Sequence, residues 1–270
     1  MTARMARRRI AFWGLDAAID TVVRAALEET GFAVAAGAGP PRYRPGDARP
    51  LVLLDTRRQG GAETGRDLPD PPPVPLLIGV EGAPGAAQAA RWATIAAQHD
   101  LYWSLSTGAV MAMDAPSKVF AAAVRAIAGD LCDEGLLMRL ETALHETLVN
   151  ALVHGNLDVP SLNDFEADDQ GTAFQEAIEA RLADPVLSAR RVALTANVAH
   201  KSLSLSVHDN GAGLPEELWD RTVREGPAAP NASHSGRGLQ LTAMFCDDMA
   251  LSPDGRTVTM TFALPHRVEA

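Results

Sequence analysis

A chain of 270 residues with 47% apolar and 21% charged side chains has a globular composition, which excludes wholesale disorder and low-complexity architecture. A net charge of −10 argues against gripping nucleic acid, and two cysteines with neither a CxxC pair nor Cys/His ligand spacing argue against a disulfide scaffold or structural zinc. No apolar run approaches the roughly 18 residues that span a bilayer, and the basic start MTARMARRR lacks a signal-peptide core, so the expectation is a cytoplasmic protein away from membranes.

Charge divides the chain. Residues 1–105 carry 12 Arg and 11 Asp+Glu, whereas 106–270 carry 12 Lys+Arg against 23 Asp+Glu. That break predicts two domains, 1–105 and 106–270. Lys118 and Lys201 are the two lysines, and no Gly-Lys-Ser/Thr P-loop occurs.

In the first half, residues 9–13 form a short apolar run ending at Gly14, a buried strand. Asp16 is placed to cap a helix over 17–30, whose Ile19, Val22, Val23, Ala26 and Leu27 share a face, and Gly31 ends it. Residues 51–54 and 75–79 are compact strands, 85–98 a helix and 101–106 a further strand. Strands alternating with helices predict a small parallel α/β sheet. This half resembles a degenerate response-regulator receiver domain, with Asp55 ending a strand where a receiver keeps its phosphoacceptor. Trp13-Gly14-Leu15 stands where the acidic Mg²⁺ pair belongs, and LYWSLSTG offers no lysine. Segments 37–50 and 57–73 are Gly- and Pro-rich where two helices would lie. The expectation is a receiver-like element that has lost phosphotransfer and serves in docking or dimerisation.

The second half opens with a strand over 108–116 and a helix over 117–130. In ETALHETLVNALVHGNLDVP, Leu144, Leu148, Ala151 and Leu152 share one helical face, while Glu146, Asn150 and His154 share the other at i, i+4 and i+8. On its own this pattern suits an ordinary amphipathic helix. It also suits a metal-and-water site, since an Asn carbonyl is a hard ligand and a carboxylate one turn back can act as a base. Residues 161–190 are an insertion, helical over 173–182, ahead of a strand in VALTANVAH. In SLSLSVHDNGAGLP, leucines alternate with serines in a half-buried strand, and Asp209 keeps the leucines' parity and faces inward. Asp-Asn-Gly is a turn signal, but Gly211 and Gly213 together suggest close backbone approach to a ligand. Gly236 and Gly238, flanking Arg237, open a helix whose N-terminus is suited to phosphate. A Pro-Asp-Gly turn then joins strands 249–252 and 257–262 in a closing hairpin.

Taken in order, helix with Glu-x-x-x-Asn, strand ending Asp-x-Gly-x-Gly, and Gly-x-Gly opening a helix, residues 107–270 resemble the Bergerat ATP-binding fold of the GHKL superfamily. HETLVNALVHGN is similar to the matching segment of anti-sigma-factor-like serine kinases. The fold class implied is a mixed α/β sandwich with helices on one face of the sheet, beside the receiver-like parallel module. The resemblance implies ATP and Mg²⁺ as cofactors, Asn150 on the metal and Glu146 as general base. It further implies Asp209 on the adenine amino group, and Gly211, Gly213, Gly236 and Gly238 shaping the nucleotide loops. His154 and Thr257 join the candidate nucleotide contacts, with Thr257 near the adenine, and Asn156, Arg237 and His234 are candidate phosphate or lid contacts. Residues 214–235 would form the ATP lid. Two long helices carrying a phosphoacceptor histidine do not fit between Ser106 and Glu141, so His145 is expected on the helix surface. The implied function is an ATP-dependent serine/threonine protein kinase acting on a regulatory protein: an anti-sigma antagonist, a sigma factor or a response regulator. A nucleotide-dependent adaptor without phosphotransfer, an atypical histidine-kinase-type ATPase and a homodimer stay open as alternatives.

Overall fold

The computed structural model describes residues 9–13, 21, 24–25, 28–29, 33–36, 49–55, 75–80, 86–165, 169–199, 201–220, 223 and 237–265. Among them, nine strands form one sheet in the order β2-β1-β3-β4-β5-β6-β7-β9-β8. The strands are β1 (Arg9–Trp13), β2 (Ala33–Ala36), β3 (Arg49–Asp55), β4 (Leu76–Val80), β5 (Leu101–Ser106), β6 (Arg191–Val198), β7 (Ser202–His208), β8 (Asp248–Leu251) and β9 (Thr257–Ala263). The first five are mutually parallel in the order 2-1-3-4-5, the doubly wound arrangement, and Asp55 ends β3 opposite Val80. The last four are antiparallel. β5 belongs to both halves: it runs parallel to β4 and antiparallel to β6, and all six of its residues are buried.

The strands expected at 9–13, 51–54, 75–79 and 101–106 are present, as is the helix of 85–98, here α1 (Ala86–Gln98). β2 is additional: four small residues, AVAA, supply too little apolar pattern to stand out in sequence. Asp16, residues 37–48 and residues 57–73 lie outside the described residues.

The strand expected at 108–116 is a correction. Ser106 ends β5 and caps a short helix, α2 (Thr107–Met111), its hydroxyl accepting from the Ala109 N–H at 3.3 Å. β5 supplies the strand ahead of α3 (Pro116–Ala128), which opens on Pro116, where a missing N–H costs nothing. Next comes α4 (Glu134–Val149), capped by Asp133, whose carboxylate accepts from the Leu136 N–H at 2.7 Å.

The main core lies between one face of β5, β6, β7 and β9 and helices α3 and α4. Val119, Phe120, Ala123 and Val124 of α3 meet Leu136, Leu140, Leu144 and Leu148 of α4, with Trp103 edge-on to Phe120 at 5.0 Å. Each large side chain so buried contributes on the order of 2 kcal/mol. The insertion folds as α5 (Gln170–Leu182) and α6 (Pro185–Ser188). It has a small core of its own, where Ile178 and Leu187 meet Val153, Leu157 and Val159. Two further helices among the described residues are α7 (Glu216–Trp219) and α8 (Arg237–Phe245). Among the described residues no helix is long and apolar enough to cross a membrane.

Candidate functional site

The polar end of α4 carries the first group. Glu146 and Asn150 sit one helical turn apart and are both half-buried, while His145 between the two faces is exposed, as expected. α8 packs across them. A Cβ on Gly238 would come within 2.6 Å of Glu146 Oε2 and 3.7 Å of Asn150 Nδ2, so the absence of a side chain there is what lets the carboxylate face the start of α8. Thr242 ties the first turn of α8 down by donating to Gly238 O at 2.9 Å. Asn150 Nδ2 is buried without a hydrogen-bond partner. A buried polar atom left unmet costs about 1–3 kcal/mol, and such atoms concentrate where a ligand completes the set.

Beyond Asn150 the helix changes pitch. Residues Asn150–Asn156 form a π turn, with Leu157 N–H reaching back to Leu152 O at 2.9 Å. The contacts of His154, which run to the insertion, correct its expected grouping with Glu146 and Asn150. His154 is exposed and its Nδ1 lies 2.8 Å from Val159 O, its ring 6.4 Å from Phe174 of α5. It belongs to the insertion side, and the widened turn brings Gly155 toward the site in its place. π turns of this kind recur at functional positions for this reason.

Asp209 is the second group. The ladder of β7 and β9 continues one residue past β7, because Asp209 N–H donates to Arg256 O at 3.0 Å. Asp209 therefore keeps the inward parity of Leu203, Leu205 and Val207. Its Oδ1 accepts from Gly211 N–H at 2.7 Å. A Cβ on Gly155 would stand 2.7 Å from that same oxygen, so the carboxylate lies directly on the Gly155 Cα. Burial pushes the Asp209 carboxyl above the ordinary carboxylate range, with the Gly211 hydrogen bond, His208 and Arg256 only partly offsetting it.

Three glycines let these loops close. A Cβ on Gly211 would overlap the Gly155 carbonyl, and one on Gly213, whose φ is +92°, would overlap the Asp254 carbonyl. Gly213 thus seats the loop on the β8–β9 turn, where Leu214 N–H donates to Gly255 O at 2.8 Å. Gly211→Ala is expected to cost about 2 kcal/mol of stability, because the obstructing atoms are backbone and cannot swing away. Denaturant unfolding measures it, and a variant as stable as the parent would mean the loops can part without cost.

Thr257 is a second correction. It pairs with His208, its Oγ1 3.0 Å from His208 Nδ1, on the sheet face opposite Leu205, Val207, Met260 and Phe262. Period-two alternation puts it on the far side of the sheet from Asp209, away from any base held there. Asn156 is a third: its side chain is wholly buried in a protein hydrogen-bond network, so it is no phosphate contact. Gly236, His234 and residues 224–235 of the expected lid lie outside the described residues, as does the side chain of Arg237. Among the described residues no three His, Cys, Asp or Glu side chains gather as a metal cage.

The structure therefore brings Glu146, Asn150 and Gly238 together at one end, and Gly155, Asp209 and Gly211 at the other. Sequence reasoning missed Gly155, although it lies within the quoted HGN, because an α-helical phase turns it elsewhere. Residues 113–262 match the family model described as histidine kinase-like ATPase domain. No curated protein matches the chain.

Proposed function

The chain belongs to the family of histidine kinase-like ATPase domains, and on that premise we propose that it is an ATP-dependent serine/threonine protein kinase of the anti-sigma type, acting on a regulatory protein. The observation that carries the reading is the convergence of the Glu146 carboxylate and the unpartnered Asn150 amide on the bare Cα of Gly238 at the start of α8. Asp209 supplies an inward carboxylate for the amino group of adenine. The helix N-terminus, nine residues long, adds backbone N–H groups for phosphate.

Among the described residues there is no protein cage, and the donors fit a magnesium–nucleotide complex: the Asn150 carbonyl oxygen would hold the metal, and its buried Nδ2 would be left to donate to a phosphate oxygen. Bound Mg²⁺ supplies neutralisation of phosphate charge, which this acidic half does not offer. Glu146 takes the proton of the partner's hydroxyl as the hydroxyl oxygen bonds to the γ-phosphorus and the bond from that phosphorus to the β–γ bridging oxygen breaks, so that ADP leaves with the electron pair; Asp209 would hold the base. The first half, with its 2-1-3-4-5 strand order and Asp55 at the end of β3, is proposed as a receiver-like docking element.

Incubation with γ-labelled ATP and proteins co-purified from the native host tests the reaction. The expected result is acid-stable label on a partner, lost in Glu146→Gln, which leaves ATP binding intact. Acid-labile label would instead mean histidine or aspartate chemistry, and binding without any label would mean an adaptor.

A further inference from the structure

Asn156 closes the π turn, yet neither the metal nor the proton transfer uses it. Its side chain is wholly buried and its amide fully engaged. Nδ2 donates to Thr107 Oγ1 at 2.9 Å and to Arg191 O at 3.1 Å, while Oδ1 accepts from the Asn210 N–H at 2.7 Å. The surrounding groups close a ring about it. Arg190 donates to Asn156 O at 2.8 Å, Thr107 Oγ1 donates to Arg190 O at 2.9 Å, and Arg191 N–H donates to Asn210 Oδ1 at 2.9 Å. Asn210 is thereby held through both its backbone and its side chain.

The bond from Asn210 N–H matters most, because it orients the peptide plane joining Asp209 to Asn210. With that plane set, Gly211 N–H turns back onto Asp209 Oδ1 and occupies it. With Oδ1 so occupied and lying against Gly155, the carboxylate is left with Oδ2 to present to a base. Without the bond, the peptide can rotate and the carboxylate loses a single orientation.

We infer that Asn156 is the positioning residue for base recognition: through Asn210 it aims the Asp209 carboxylate so that the site prefers a purine bearing a 6-amino group over one bearing a 6-oxo group. This rests on the reading of the site as an ATP site. A carboxylate accepts from the amino group and repels the oxo oxygen, and a hydrogen bond to a charged group is worth about tenfold or more in affinity. Asn156 therefore acts on selectivity without touching the base.

Calorimetry on the full chain with ATP, ITP and tripolyphosphate tests this. The parent chain is expected to favour ATP over ITP by about tenfold or more. In Asn156→Ala the ratio is expected to fall to within about twofold while tripolyphosphate binds as before. Should that variant fail to fold, Asn156→Ser, whose hydroxyl is too short to reach Asn210, is read in the same way. Thr107→Val removes an acceptor of Nδ2 but leaves the Asn210 bond, so it is expected to lower the melting temperature with the ATP:ITP ratio unchanged. A parent-like ratio in Asn156→Ala overturns the inference, as does a uniform loss of all three ligands. A parent chain that binds neither nucleotide overturns the ATP reading and this inference with it.

Discussion

Replacing Asp209 with asparagine is expected to raise the melting temperature of the nucleotide-free protein while weakening ATP binding by roughly thirtyfold. Both effects have one cause. The carboxylate lies against Gly155 with Gly211 N–H as its hydrogen-bond donor, and burial raises its pKa above the ordinary value. A carboxyl whose native pKa exceeds its unfolded one contributes stability below the unfolded value, near 3.8, and loses that contribution as pH rises through the native value. Once ionised, the group is a liability. Asparagine retains an acceptor for Gly211 N–H and removes the charge. The advantage of Asp209→Asn in melting temperature should shrink on acidification, as the parent carboxyl takes up its proton. Against ATP the exchange is harmful, because a charge-assisted bond to the amino group gives way to a neutral one worth about 2 kcal/mol less. Calorimetric scans across pH, paired with ATP titrations, measure both. A variant that is less stable than its parent at neutral pH would show that the carboxylate is held by favourable contacts rather than by function.

Asn150→Asp is expected to abolish Mg-ATP binding. Asparagine would offer a metal an oxygen without adding charge, one turn from Glu146, where both side chains are half-buried. A second carboxylate there would oppose Glu146 in a medium where like charges at about 4 Å repel by about 4 kcal/mol. The net charge of −10 worsens the balance. Titration with ATP, in magnesium and in EDTA, measures the effect. Undiminished binding would remove Asn150 from the site.

The placement of the residues proposed to carry chemistry was readable because their spacing is imposed by regular structure. Glu146 and Asn150 are one α-helical turn apart, and Asp209 follows the alternation of Leu203, Leu205 and Val207, so period alone placed them. What could not be read depends on choices that sequence leaves nearly degenerate. NALVHGN is equally compatible with α and π pitch, and the difference is decided by Gly155 and Asn156 meeting the Asp209 loop, more than fifty residues away. The face of Thr257 depended on the register His208↔Thr257, which the hairpin turn and the preceding loop set together. The strand expected at 108–116 failed for a local reason, since Ser106 caps a helix where the apolar run GAVMAM had suggested extension. β2 was lost among small residues. Pairing changes from parallel to antiparallel at β5, and the sheet continues through it.

That continuity bears on how the molecule would behave if divided. All six residues of β5 are buried and paired with β6, from Leu101 against Ala196 to Ser106 against Arg191, and Tyr102, Trp103 and Ser104 pair with β4 on the other flank. Cleavage after Ser106 would strip β6 of its partner and leave a bare row of N–H and C=O groups, the kind of edge that recruits a strand from another molecule. The liberated second half would then self-associate. The halves differ in charge, but the strand they share predicts a single cooperative melting transition, and two separate calorimetric transitions would show that they unfold independently.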